Sequence, residues 1–352
     1  MVPFPFASET RTIHHDSVAL SRAPYILVAV LASGCSSGDT NPAVPPPVSP
    51  EGSTPDTSVD DVQGTDSQEQ EAWAPAPLRM VTWNVHDFYD NIKGNCANNC
   101  PYEPDPPPTA SAYQSKVNST AAILAKLAGD VVMLEEVENV SVLDKLATAP
   151  ALASLQYQYR TLLPGNDPRG INIAFMSRYP IKDAFSHKDD QFTREDAPAQ
   201  VYKYTRDALE VHLLHRGEHL VFVGVHFKAK STPDDPDRRI AEAQHSRAIA
   251  EYVLKGDPSA YVWILGDFND IPGSAPVLAV QDGKAGPKFV DATDSVPAPD
   301  RYSYQYNNQK QLIDHMFASP GPAQRIDAAS VTILHDKTDS DHAPVAATYQ
   351  VP

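Results

Sequence analysis

What most constrains this chain is a pattern beyond Leu78: short apolar runs of strand length recur, and many of them halt at Asp, Asn, Glu or His. Eight such runs stand at 80–85, 131–134, 171–176, 208–214, 220–226, 261–265, 312–318 and 344–349. They are too apolar for surface loops and too short for helices. Between them, 111–127 and 239–254 carry helical composition, the second rich in Ala, Ile, Glu and Gln. Strands alternating with covering helices imply an α/β layered sandwich, whose strand ends and loops are free to carry chemistry. No short-period repeat and no long Pro/Ser linker divides this region, so 78–352 is expected to be one domain.

The chain before it has a different character. An apolar stretch, "APYILVAVL", is too short to span a bilayer as a lone helix, and "ASGCSSG" follows it. It resembles a bacterial lipoprotein signal, with Gly34 preceding a lipidated Cys35 and Ala32 three residues before it. Residues 1–35 are therefore expected to be an export signal. Residues 36–77, as in "NPAVPPPVSPEGSTPDTSVDDVQGTDSQEQ", cannot bury enough apolar surface to offset their ordering entropy. They are expected to be a disordered tether holding the domain off the outer face of a bacterial membrane, or outside the cell. Cys96 and Cys100 then remain, in "NCANNCP". In an oxidising compartment they suit a small disulfide loop; free thiols are the alternative.

The net charge of −17 argues against binding nucleic acid through bulk positive charge. Residues 1–77, with ten acids and two bases, carry −8 of it. Several of the remaining acids gather at strand ends, in "TWNV", "LEEVEN", "VHFK", "GDFND", "LIDHMFAS" and "SDHAPV". Alone, an Asp after a strand is commonly a turn former and a His in an apolar run a satisfied core residue. Six strands ending in this way have no such bland explanation. Carboxylates and carboxamides are hard oxygen ligands for Mg²⁺, Mn²⁺ or Ca²⁺, and histidines beside such an ion suit phosphate esters. From residue 78 onward a serine elbow GxSxG, a zinc HExxH and a glycine-rich phosphate loop are all missing, and the one GxSxG match, "GCSSG" at 34–38, falls outside the strand-and-helix region.

In this order, the six motifs resemble the endonuclease/exonuclease/phosphatase superfamily, relatives of deoxyribonuclease I, from about residue 80 to the C-terminus. The resemblance implies an α/β four-layered sandwich, two central mixed β-sheets flanked by helices. It implies metal ligands Asn84, Glu136 and Asp341. It makes Asp267 the residue that orients the attacking water or the metal, Asn269 an amide on the phosphate and His226 a histidine on the scissile phosphate. His342, oriented by Asp314, becomes the acid/base imidazole, and Arg194 in "QFTREDAP" a phosphate contact. Glu135, beside Glu136, stands where relatives commonly have glutamine, and strand alternation turns only one of the two toward a site. Most similar are bacterial secreted nucleases. The expectation is an exported Mg²⁺-dependent phosphodiesterase acting on DNA, or on RNA, with no protein partner evident. A sphingomyelinase-like lipid phosphodiesterase and a non-catalytic binding lipoprotein are the alternatives, although no core position is missing. Tyr302, Tyr304 and Tyr306 either stack bases or belong to a half-buried strand.

Overall fold

The computed structural model describes residues 76–97, 100–231, 235–283 and 286–351. The expected signal with Cys35, and the tether up to residue 75, lie outside the described residues. In chain order the elements are β1 (Ala76–Phe88), α1 (Ala110–Leu127), β2 (Val131–Val137), α2 (Val140–Ala147), β3 (Tyr159–Leu162), β4 (Asn172–Ser177), β5 (Ile181–Ser186), β6 (Phe192–Arg194) and β7 (Ala197–Tyr202). There follow β8 (Ala208–His215), β9 (Glu218–His226), α3 (Asp235–Gly256), β10 (Tyr261–Asp267), α4 (Ala275–Asp282), β11 (Val290–Asp291), β12 (Tyr304–Tyr306), β13 (Gln309–Gln311), β14 (Asp314–Ala318), α5 (Pro320–Ala323), β15 (Ile326–Ile333) and β16 (Val345–Val351). β1 starts two residues before the expected domain boundary, with Ala76 and Pro77 paired to Val351 and Gln350.

Two six-stranded sheets form, ordered β15-β16-β1-β2-β4-β3 and β11-β14-β10-β9-β8-β5. Each has one central parallel pair, β1 with β2 and β9 with β10, flanked by antiparallel partners. Because strand side chains alternate, each sheet has two apolar faces to cover. Val81, Trp83 and Leu134 on one face of the first sheet pack against Val117, Leu124 and Leu143 of α1 and α2. Val223, Ile264 and Phe317 of the second sheet pack against Ala243, Ile249 and Val277 of α3 and α4. The inner faces meet each other: Met80, Met133 and Phe175 against Leu209, Phe222, Trp263 and Leu265. Each such large buried side chain contributes roughly 1.5–3 kcal/mol, which clamps the sheets together. The result is the expected four-layered α/β sandwich.

Local chemistry sets the helix ends. The Thr109 side chain accepts from Ala112 N to cap α1, which stops at Ala128 in the left-handed region (φ 51°). Asn139, the last residue of "LEEVEN", accepts from Val142 N and so caps α2 rather than joining a site.

Candidate active site

The inward-facing positions that build the inter-sheet core continue past its apolar part, and there they become polar. On β1, Leu78 and Met80 are followed at the same phase by Thr82 and Asn84; on β10, Trp263 and Leu265 are followed by Asp267. On β9, His226 continues the phase of Leu220 and Phe222, and Asp314 opens β14 in phase with Met316. Register then aligns three of them, for Asp267 stands opposite His226 on β9 and opposite Asp314 on β14. Asn84, Glu136, His226, Asp267, Asn269, Asp341 and His342 all line one cleft of about 620 Å³, with Asp314 directly behind His342.

Two backbone devices make this possible. Alternation on β2 gives Val131, Met133 and Glu135 the inner face, which would send Glu136 outward. The β1–β2 and β2–β4 registers shift just there, and Glu136 takes a positive φ of 67°, re-aiming its side chain into the cleft. Glu135 stays buried below, with Oε1 accepting from Thr82 Oγ1. Burial first, then the Asp314 and Asp267 charges, raise its carboxyl well above the ordinary value. At Gly266 φ is 136°, and a Cβ would lie 2.1 Å from Val225 O and 2.9 Å from Glu135 Oε1. Only glycine passes there.

Asp267 Oδ2 is the hub. It accepts from Asn84 Nδ2 at 3.1 Å and Asn269 Nδ2 at 3.2 Å. His226 Nε2 lies 3.4 Å from it and His342 Nε2 3.9 Å. Burial pushes the Asp267 carboxyl up, further than His342 pulls it back, to about 6. Burial, reinforced by Arg206 and Arg169, holds the His226 imidazole well below its ordinary value, so that ring is neutral. For His342 burial acts in the same sense, but the Asp314 and Asp267 charges and the 2.8 Å bond from Nδ1 to Asp314 Oδ2 outweigh it and push the ring up to about 10. The two histidines are thus set apart, one a neutral donor and one a cation.

Cations come from residues that the sequence reading did not single out. Arg169, three residues before β4, bonds Asp87 at 3.0 Å, Glu136 at 3.1 Å and Asp167 at 2.9 Å. Arg206, two residues before β8, bonds Asp167 and the Phe227 carbonyl. Both line the cleft, with Lys230 and His86 at its rim. Arg194, expected on the phosphate, is elsewhere: it ends β6 in a small separate hairpin sheet, where Asp196 and Asp237 neutralise it. Asn269 is where it was expected, but both of its amide protons are engaged, by Phe227 O and Asp267 Oδ2. In this conformation it holds Asp267 instead of offering a donor to the cleft. Cys96 and Cys100 are joined by a disulfide.

The donor set fits a hard divalent cation. Glu136, Asp267 and Asp341 offer carboxylate oxygens, and Asn84 Oδ1, which accepts from His86 N, keeps a second lone pair. The floor holds more acceptors than donors: Asp314 Oδ1 and Glu135 Oε2 are buried without hydrogen-bond partners. Asp314 itself suits a different task, since its other oxygen is committed to His342. Glu136 is kept ionised for the purpose, because Arg169, the Asp87 N–H and Arg206 together outweigh its burial and hold it below the usual carboxylate range. Asp341 sits highest, its Oδ1 2.8 Å from His86 Nδ1.

A four-layered sandwich with amide, carboxylate and imidazole groups converging at one end of the inter-sheet layer defines the class as a hydrolase fold of the phosphoesterase type. The chain belongs to the Endonuclease/Exonuclease/phosphatase family, whose model matches residues 79–333. Among solved structures it is similar to the human Nocturnin catalytic domain with bound sulfate anion, at TM-score 0.54 and 15% identity, covering 78% of this chain and 94% of that one. An endonuclease/exonuclease/phosphatase family protein from Bacteroides thetaiotaomicron gives TM-score 0.52 and 15% identity, covering 79% of this chain and 96% of that one. Truncated TDP2 from Caenorhabditis elegans gives TM-score 0.51 and 14% identity, covering 78% of this chain and 98% of that one. No curated protein sequence matches the chain.

Proposed function

We propose that this chain is an exported, divalent-metal-dependent phosphodiesterase that cleaves nucleic acid, DNA foremost. The observation that carries the reading is the pairing of a buried carboxylate, Asp267, with a neutral and a cationic imidazole in a cleft that also holds two guanidinium groups. Asp267 Oδ2 takes a proton from the attacking water, whose oxygen bonds to phosphorus as the opposite ester oxygen departs and is protonated from water at the open rim. His226 and the His342 imidazolium donate through Nε2 to phosphoryl oxygens, where charge develops. Arg169 and Arg206 add fixed positive charge, and Asp314 holds the orientation of His342. Glu136, Asp267, Asn84 and Asp341 are the residues that would hold the cation. When bound there, a divalent ion such as Mg²⁺, Mn²⁺ or Ca²⁺ supplies Lewis-acid neutralisation of phosphoryl charge.

The substrate class is argued from the β12–β13 hairpin over the cleft. Tyr304 and Tyr306 line the cleft with rings stacked 6.5 Å apart at 10°, and Tyr306 is 62% exposed. Exposed aromatic faces beside a phosphate site suit bases, while Gln305, Asn307, Asn308 and Lys310 on the same hairpin suit a polar polymer better than a lipid surface. Export through a lipid anchor on Cys35 is part of the proposal, with 36–75 as tether; the Cys96–Cys100 disulfide supports an oxidising destination. Purified protein assayed on plasmid DNA, RNA and sphingomyelin, with Mg²⁺, Mn²⁺ or Ca²⁺ and with chelator, tests the reading. Metal-dependent cutting of nucleic acid is expected; turnover of sphingomyelin alone would move the chain to the lipid phosphodiesterases, and no turnover to the binding proteins.

A further inference from the structure

Away from the cleft, three residues distant in sequence meet on the outer side of the second sheet. His187 follows β5, Asp190 closes the turn after it, and His245 lies in the middle of α3. His187 Nδ1 is 2.9 Å from Asp190 Oδ2, and His245 Nε2 is 3.0 Å from the same oxygen. One ligand atom from each residue lies within 4.8 Å of the others. None of the three lines the catalytic cleft.

We propose that His187 Nδ1, Asp190 Oδ2 and His245 Nε2 form a second, structural binding site for a divalent cation of the zinc class, independent of the cleft. Two imidazole nitrogens and one carboxylate oxygen, with a side left for water, are a borderline-soft donor set that suits zinc and disfavours Mg²⁺ or Ca²⁺. The surroundings are built as a ligand shell is built. His187 Nε2 is 2.8 Å from Glu210 Oε2, a carboxylate with a fully buried side chain. A carboxylate on the far nitrogen of a ligating histidine fixes its tautomer and raises its basicity. Glu210 is locked in turn, its other oxygen 2.6 Å from His212 Nε2, while His212 Nδ1 meets His219 Nε2 at 2.9 Å. Phe192 stacks on the His245 ring at 4.4 Å and 12°, holding its plane. Asp190 and His245 keep 16% and 12% side-chain exposure, enough for an ion to enter from solvent.

Without an ion the same atoms close on protons. A cation would replace those shared protons, so binding releases protons and strengthens with pH. An ion here ties the turn after β5 to α3, with the β6–β7 hairpin packed over the joint through Phe192.

The test uses the purified chain stripped with chelator, in a Glu136→Gln background that weakens the cleft for ions. One equivalent of Co²⁺ is expected to give the intense visible absorption of a four- or five-coordinate site. One equivalent of Zn²⁺ should displace it and raise Tm. Asp190→Asn and His245→Gln, each checked for parental far-UV circular dichroism, are expected to weaken Zn²⁺ binding by more than about tenfold, and Glu210→Gln by about 10–100-fold. Parental Zn²⁺ affinity in both folded ligand variants, or only the pale absorption of six-coordinate Co²⁺ in the parent, would overturn the proposal. If His245→Gln does not fold, Asp190→Asn decides alone.

Discussion

Asp314 reaches the cleft only through His342, and this makes its role separable. The Asp314 charge and hydrogen bond, together with the Asp267 charge, hold the His342 ring up at about 10 against burial. The kcat/KM profile is therefore expected to rise through an acid limb at or below about 6, as Asp267 loses its proton, and to fall on the alkaline side as His342 does. In Asp314→Asn the alkaline limb should move down by at least about one pH unit, since opposite charge is what favours the imidazolium. An unmoved limb would assign that limb to another group. Arg169 and Arg194 give a second contrast. Arg169→Ala is expected to raise KM about tenfold or more, whereas Arg194→Ala, paired with Asp196 and Asp237 outside the cleft, should leave steady-state constants within about twofold. Arg169 and Arg206 escaped the sequence reading because they stand in loops two or three residues ahead of the antiparallel strands β4 and β8, outside the apolar runs and the six motifs. Asp314 and His342, at the entries of β14 and β16, belong to motifs. Glu136 was legible as a carboxylate at a strand end, but the bulge that aims it was not, because no residue of "LEEVEN" announces a positive φ.

The elements that carry the site are fixed by close backbone passages. Gly266→Ala, with its Cβ driven against Val225 O, should cost on the order of 3 kcal/mol or more in denaturant unfolding. A loss under 1 kcal/mol would show that β9 and β10 can spread. The loop holding Arg169 leans on the disulfide: at Gly170 φ is 83° and a Cβ would lie 2.7 Å from Cys100 Cβ and 2.8 Å from Cys96 Cβ. Tyr102 N also donates to Pro168 O, and Tyr89 Oη to Arg169 O. Cys96→Ser with Cys100→Ser is therefore expected to lower kcat/KM severalfold through Arg169, beyond any change in Tm; activity unchanged at a temperature well below Tm would uncouple the disulfide from the site. Strand legibility follows position in the sheet. The eight strands read from sequence are the four inner strands of each sheet, and β3, β5, β11 and β15, which were missed, are the four edges. An inner strand is buried on both faces and must be apolar, while an edge strand such as β15, "IDAASVTI", is largely exposed and carries no such mark.

At the scale of the whole molecule, titration of the buried networks outside the cleft shapes stability. The folded-state value of His187, raised to about 9 from 6.5, stabilises the fold fully below about pH 6.5, and that contribution is lost as pH climbs through 9. Its partner Glu210, whose burial is outweighed by His187 and His212, is held down to about 2 from 4.5, so its contribution is present above 4.5 and is lost toward pH 2. These are two ends of one interaction. The unfolding free energy of the chelated protein is expected to fall between pH 6.5 and 9 by an amount on the order of 3 kcal/mol, and His187→Gln should flatten that slope. An equal slope in the variant would place the titrating group elsewhere.

Catalysis in this cleft requires the strand ends to converge on one phosphate. The most direct measurement is the single-turnover rate at which Asp267→Asn cleaves one defined DNA oligonucleotide in saturating Mg²⁺ or Mn²⁺, relative to the parent chain. A loss of about 10²–10⁴, with the parental circular dichroism spectrum, is predicted. Cleavage by folded Asp267→Asn at a rate within a few-fold of the parent would contradict it.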